Sequence, residues 1–551
     1  MDELHTADQQ AADDLFANYP TAAGVYDEML GGGSVRRPYV NLSRAAAGFT
    51  ADEMRSRSDY LSSTYLDQGV TFDVGGEERP FPLDIVPRIV AEDVWAGISA
   101  GVKQRVKALE AFLADVYGAG HVFADGVIPR HVVTSSPHFH RVVAGLQPAN
   151  GVRVHVAGID LVRDAKGEFR VLEDNVRVPS GVSYVMTNRQ AMSAALPEVF
   201  GKYRVKPVHE YSARLLAALK AAAPSGIQDP NIVVMTPGMY NSAYFEHSLL
   251  ARQMGVELVE GRDLVCRKGR VLARTTRGLQ PVHVIYRRID DDFLDPVHFR
   301  RDSALGVAGL VNAARAGNVT IANGIGNGVA DDKLVYTYVP DLVRYYLAEE
   351  PLLKQVDTWR LEDPSHREEV IDRLEELVVK PVDGSGGKGI VIGPLSERSE
   401  VDAVRAKILA DPRGWIAQPM VQLSTVPTMI DGRMVPRHVD LRPFAVNDGD
   451  DVWVLPGGLT RVALPEGEMI VNSSQGGGSK DTWVLTSAKG ADEPIPVGSP
   501  DGPHHPLAMG RLDAARAADT EVPTGTDTTT EMTQTLGTMT QTLGTNTSQE
   551  A

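Results

Sequence analysis

The chain has 551 residues, 43% of them hydrophobic, enough for roughly two to four domains with substantial cores. Its formal charge of −17 leaves no overall basic footprint for nucleic acid. The single cysteine, Cys266, excludes an internal disulfide and argues against a zinc cluster. The first residues, MDELHTADQQAADDLF, are acidic and carry no apolar signal core. No run has the apolar length that spans a bilayer. A soluble cytoplasmic protein is therefore expected, with no membrane partner.

Residues 1–45 are mixed, and LGGGSVRRP reads as a flexible connection. VKQRVKALEAFLADVY, 102–117, has the spacing of an amphipathic helix ended by Gly118. In VRVHVAGIDLVRDAKGEFRVLEDNVRV, 152–178, two alternating stretches flank AKG, the pattern of a β-hairpin. With Lys166-Gly167 as the tight turn, Ala165 pairs with Glu168 and Asp164 with Phe169. The ladder then sets Asp160 across from Glu173, with Asn175 on the same face. Opposed like charges destabilise a sheet. A hard cation such as Mg²⁺ would offset them, and without it one carboxylate should have a raised pKa. A solvated polar strand face is the alternative.

Further along, 186–200 reads as a helix. IVVM, 232–235, runs into PGMYNSAYFEHSLLARQMGVELVEGRDL as loop, helix and strand, an α/β unit. HVIYRRIDDDFLDP is another strand and loop. Helices are expected near 303–316, 333–348 and 366–377, and strands at 415–420, 438–446, 452–455 and 469–472. Order should end near Leu485 or in the next dozen residues. The tail is rich in Pro, Gly, Thr and Gln, with MTQTLGT twice in tandem, and is expected to be disordered.

Several segments carry chemistry. VVKPVDGSGGKGIVIG, 378–393, delivers Lys380 and then a glycine-rich turn whose N–H groups can approach phosphate. It is not a Walker A loop. WIAQPMVQLSTVPT places Gln418 at the end of an apolar strand, where backbone could meet an adenine edge. PRHVDLRPFAV carries Arg437, Asp440 and Arg442. GGLTRVAL carries Arg461, and VNSSQGGGSKDTW carries Asn472 in a second glycine-rich loop. Each alone has an ordinary explanation, a mobile loop or a surface ion pair of little worth. Together they favour a nucleotide site.

On LEDNVRVPSG, NSAYFEH, VIYRRIDDDFLDP, DDKLVYTYVPDLVRYYL, VVKPVDGSGGKGI, HVDLRPFAV and NSSQGGGSKDTW, the chain resembles the circularly permuted ATP-grasp proteins, relatives of the glutathionylspermidine synthetase type of amide ligase. The likeness runs from about residue 50 to 488. In an ordinary ATP-grasp ligase the lysines come first and the Glu-x-Asn strand last; here Glu173-Asp174-Asn175 precedes both lysines.

The resemblance implies a mixed α/β and α+β ATP-grasp fold, circularly permuted. An N-terminal extension, partly flexible, covers 1–50. A helical region with the permuted metal-binding hairpin covers 51–200. An α/β domain of the type that precedes ATP-grasp cores covers 201–325, and the ATP-binding part 326–488. A disordered tail follows at 489–551. The cofactors implied are ATP and two Mg²⁺ ions. Asp160, Glu173 and Asn175 are assigned to metal. Lys333, Lys380, Gly384, Ser385, Gly386, Gly387, Gly389 and Gln418 are assigned to nucleotide, and Arg442, Arg461 and Asn472 to catalysis.

One departure stands out: ordinary ligases often carry an arginine at the position of Gly158, and Arg437, Arg442 or Arg461 must replace it. The activity implied is ATP-dependent joining of a small-molecule or peptide carboxylate to an amine through an acyl phosphate. A phosphotransferase, a nucleotide-binding scaffold without turnover, and an interaction protein are the alternatives. Asn241, Tyr244, Glu246, His247, Arg287, Arg288 and Asp290 are expected either to line an acceptor pocket or to form a network between domains.

Overall fold

The protein is described here by a computed structural model covering residues 15–16, 19–74, 77–384, 389–469, 471 and 476–486. All belong to the unit spanning Met1–Ile495. The expected tail at 489–551, and Ser385, Gly386, Gly387 and Asn472 of the expected site, lie outside the described residues.

Seven strands form the central sheet. They are β1 (Leu83–Val90), β2 (Val156–Arg163), β3 (Phe169–Asn175), β4 (Lys354–Gln355), β5 (Arg442–Asn447), β6 (Val452–Val462) and β7 (Gly478–Val484). Their order across the sheet is β4-β3-β2-β5-β6-β7-β1. Only β4 on β3 and β7 on β1 are parallel. In β2, Val156 through Val162 are all buried. A strand covered on both faces carries an apolar run rather than clean alternation. Its Ile159 and Leu161 join the largest core cluster, while Asp160 lines the cleft on the other face.

The helix α1 (Glu92–Val116) packs on this sheet. It begins ten residues before the apolar pattern suggests, because Gly97 and Gly101 interrupt the periodicity there. Glu92 and Asp93 in its first turn complement the helix dipole. Gly101 answers a close approach: a Cβ there would lie 2.3 Å from Leu353 Cγ. The next helix, α2 (Val182–Ala195), starts earlier than expected at the PSG turn. It stops before Pro197, which opens a separate short turn Pro197–Phe200.

A parallel four-stranded sheet orders Thr320–Ala322, Val284–Arg287, Ile232–Met235 and Glu257–Val259, with α3 (Tyr244–Met254) beside it. Asn323, 1% exposed, stitches this sheet to β2 and β3. Its Oδ1 accepts the His155 and Val156 N–H groups at 2.8 Å. Its Nδ2 donates to Val156 O at 2.7 Å and Val176 O at 2.9 Å.

An antiparallel sheet orders Trp359–Arg360, Trp415–Pro419, Leu377–Pro381 and Val391–Ile392. It has its own small core, with Leu374, Val379, Val401 and Ile408.

Several expected elements shift. The helix near 303–316 shortens to Leu310–Arg315, and that near 333–348 divides into Lys333–Tyr336 and Val339–Leu347. The helix near 366–377 becomes Pro364–Asp372 plus a 3-10 turn, Leu374–Glu376. The run 438–446 is two strands: Arg433–His438, paired with Thr425–Ile430, ends before β5 begins. Asp440 sits in the break. Met469 and Val471 belong to no strand, and β6 continues past Leu455 to Val462. β1 has no counterpart in the sequence reading.

Candidate active site

The hairpin β2–β3 supplies the centre of the site. Asp164 N–H donates to Glu168 O and Gly167 N–H to Asp164 O. Three residues therefore make the turn, one more than expected, with Gly167 at φ +82°. The strands then pair Arg163 with Phe169 and Leu161 with Val171. A bulge at Leu172 shifts the ladder back by one, so Asp160 faces Glu173 and Gly158 faces Asn175. The expected face forms, through a different turn.

Asp160 is fully buried. Arg442 grips it with two bonds, Nε to Oδ1 and Nη2 to Oδ2, the latter at 2.7 Å. Arg461 Nη2 donates to the same Oδ2 at 2.7 Å, and Arg461 is held in turn by Asp440. Burial alone would raise the Asp160 pKa; Arg442 and Arg461 override it and hold the carboxyl well below its usual range. The expectation of a raised pKa is thus wrong for Asp160, because its offsetting charge is already present as two guanidinium groups. Two other carboxyls at the site are raised. Burial lifts Asp440 against the pull of Arg461. Burial pushes Asp331 up to about 7, with Arg177 opposing and the charges of Asp174 and Glu173 assisting.

Arg442 also covers Gly158. Gly158 pairs with Phe444 on β5, and a Cβ on it would lie 3.2 Å from Arg442 Cδ. Arg442 thus passes over Gly158 from the neighbouring strand. Arg437 turns elsewhere, donating to Leu464 O.

Lys333 opens the helix Lys333–Tyr336, capped by Asp332. Its Nζ donates to Gly384 O at 2.6 Å and lies 3.6 Å from Glu173. Lys380 is on Leu377–Pro381. Burial pushes its amine down to about 8, with Glu173 pulling up and Lys333 pushing down. Gln418 sits across from Val378 on the facing strand and donates to Thr358 Oγ1 at 3.0 Å.

These residues line one cleft of about 740 Å³. One lobe carries Lys333, Lys380, Gly384, Gln418 and apolar side chains such as Ile392 and Met420. The other carries Asn241, Glu246, His247, Arg288 and Asp290. Asp160, Glu173, Asn175, Arg442 and Arg461 also line it. Gly389, Tyr244 and Arg287 are not among the lining residues. Arg287 is buried against Asn323 O, Gly324 O and Asp291. Glu246 serves the domain network: Oε2 accepts the Gly181 and Ser183 N–H groups at the start of α2, and Oε1 pairs with Arg288. Two lining residues, Arg177 and Asp331, were missed; the doubled aspartate before Lys333 was the available signal.

Among the described residues no group of three or more His, Cys, Asp or Glu side chains is placed to hold a metal. The donors present still suit Mg²⁺, which takes hard oxygen ligands from one or two carboxylates plus phosphate. Glu173 has no closer charged partner among the described residues than Lys333 at 3.6 Å and Arg442 at 3.8 Å. No helix among the described residues is long and apolar enough to cross a membrane.

The mixed α/β architecture, with its permuted strand order and lysine-lined cleft, is that of an ATP-grasp protein. The chain belongs to the family described as circularly permuted ATP-grasp type 2, whose profile matches residues 87–463, and so to the ATP-grasp ligase superfamily. It is 61% identical over 475 residues to an uncharacterised protein of Mycobacterium tuberculosis (strain ATCC 25618 / H37Rv), covering 86% of each chain. It is 46% identical over 485 residues to a putative glutamate–cysteine ligase 2-3 of Frankia alni, covering 87% of this chain and 56% of that one. A solved glutathione synthetase-like effector from Globodera pallida matches with TM-score 0.51 and 11% identity, over 79% of this chain and 97% of that one. That likeness concerns the fold alone.

Proposed function

We propose that the protein is a Mg²⁺-dependent ATP-grasp ligase joining a carboxylate to an amine through an acyl phosphate. The observation that carries this reading is the convergence of Lys333, Lys380, Arg442 and Arg461 with Glu173 and Asn175 in one cleft. Four cationic side chains suit a triphosphate and an acyl phosphate, where catalysis is mainly positioning and charge neutralisation. Lys333 and Lys380 hold phosphate oxygens; Gln418 and its strand lie beside the base. Arg442 and Arg461 steady the transferred group. Glu173 and Asn175 would hold Mg²⁺, which supplies neutralisation of phosphate charge, while Asp160, its oxygens engaged by Arg442 and Arg461, would orient those arginines. The name of the Frankia relative, itself a carboxylate–amine ligation, is in keeping with this class.

The test is incubation with ATP, Mg²⁺ and a metabolite extract. ADP, phosphate and a new amide mass are expected, all lost in Lys380→Met. ADP with a phosphorylated product would make the protein a phosphotransferase. Folded protein with no affinity for Mg·ATP would overturn the reading.

A further inference from the structure

The second lobe of the cleft lies against the parallel sheet, and one of its walls is His247. The residue is 1% exposed. Its Nδ1 is 2.9 Å from Thr236 Oγ1, which also accepts the Gly238 N–H at 3.1 Å. With that lone pair engaged, the hydroxyl proton is best given to Nδ1, and the ring hydrogen is left on Nε2. Burial, reinforced by Arg288, pushes the His247 pKa down to about 2, so the ring is neutral. Nε2–H meets no acceptor among the described residues, yet the side chain lines the cleft. A donor on the cleft wall without a protein partner invites a ligand oxygen.

Asp290 and Asp331 also line the cleft. They share a single guanidinium, with Arg177 at 3.3 Å and 3.6 Å respectively. Asp290 Oδ1 accepts no hydrogen bond, while Asp331 Oδ1 accepts the Val176 N–H. Arg287, the next nearest guanidinium, is committed to Asp291, so among the described residues Asp290 has only its long contact to the shared Arg177 and leaves room for a second cation. Glu246 and Arg288, which also line the cleft, neutralise each other and add no net charge.

We propose that this lobe holds an amino acid or short peptide, its ammonium group against Asp290 and Asp331 and one of its oxygens on the His247 Nε2–H. The proposal rests on the ligase reading and names the amine substrate's class and the side chains that select it. His247 acts there as a hydrogen-bond donor and does not transfer a proton.

The experiment saturates the full chain with Mg·ADP and titrates it calorimetrically with the proteinogenic amino acids and their glycyl dipeptides. At least one is expected to bind, and its N-acetyl derivative to bind at least about tenfold more weakly. H247L should weaken that probe about tenfold with Mg·ADP affinity unchanged, whereas H247Q, whose amide can still donate, should stay within about threefold. D290N, at a side chain 45% exposed, should weaken the free amine but not its N-acetyl form. D290N keeps the test alive should H247L fail to fold. The proposal is overturned if Mg·ADP binds and no probe does, or if H247L or D290N binds the probe like the parent. Failure of the parent to bind Mg·ADP strikes the ligase reading instead.

Discussion

A buried carboxylate needs partners, and Asp160 shows how many. Two arginines and an asparagine surround it, so Glu173 across the ladder is not facing an uncompensated charge. Glu173→Gln is therefore expected to leave the melting temperature within about 2 °C of the parent while abolishing Mg²⁺-dependent ADP formation, since the charge of one ligand is lost. ATP consumption at the parent rate would remove this hairpin from the metal site.

His155 makes a different case. It is fully buried, neither ring nitrogen has a partner, and burial pushes its pKa down to about 4. The unfolded chain takes up this proton near pH 6.5 and the folded one only near 4. Its contribution is thus complete above pH 6.5 and falls away as pH drops towards 4, by about 3 kcal/mol at most. His155→Leu should flatten the denaturation free energy across that window; an unchanged slope would mean that other groups set it.

Between residue and sheet, the junctions matter most. Asn323 satisfies two N–H groups and two carbonyls at the seam between the parallel sheet and the site hairpin. Asn323→Asp keeps the acceptor and loses the donor, placing carboxylate oxygen against two carbonyls. A loss of about 3 kcal/mol or more in urea unfolding is expected, with weakened nucleotide binding; a near-neutral result would mean the seam is held elsewhere.

The elements also show what a sequence conveys. The facing of Asp160 and Glu173 was legible although the turn was misjudged, because a longer turn and the bulge at Leu172 displace the ladder in opposite senses. Strand phase is set by which side chains must be buried, and turn length adapts to it. Arg442 and Arg461 were legible as charges. Their hold on Asp160 was not, for it spans 282 and 301 residues. β1 escaped notice because its only neighbour in the sheet is the last strand. α1 was half legible, since Gly101 answers to Leu353 rather than to helix periodicity.

Over the whole molecule, sequence order and spatial order part company. β2 and β3 are completed by β5, and β1 by β7, across the length of the described chain. A chain ending at residue 440 lacks β5, β6 and β7, so β2 loses its neighbour and Asp160 loses Arg442 and Arg461. Such a fragment is expected to be unfolded by circular dichroism; a cooperative melt like that of the parent would show that the first half folds alone.

The same arrangement bears on how the protein is made. A ribosome adding about 5–20 residues per second exposes the hairpin carboxylates roughly 15–60 s before it delivers the arginines that neutralise Asp160. During that interval Asp160 is best served by water, and β2 waits as an open edge that another nascent chain could pair with. Permutation thus delays closure of the sheet until β7 has been made and can pair with the first strand.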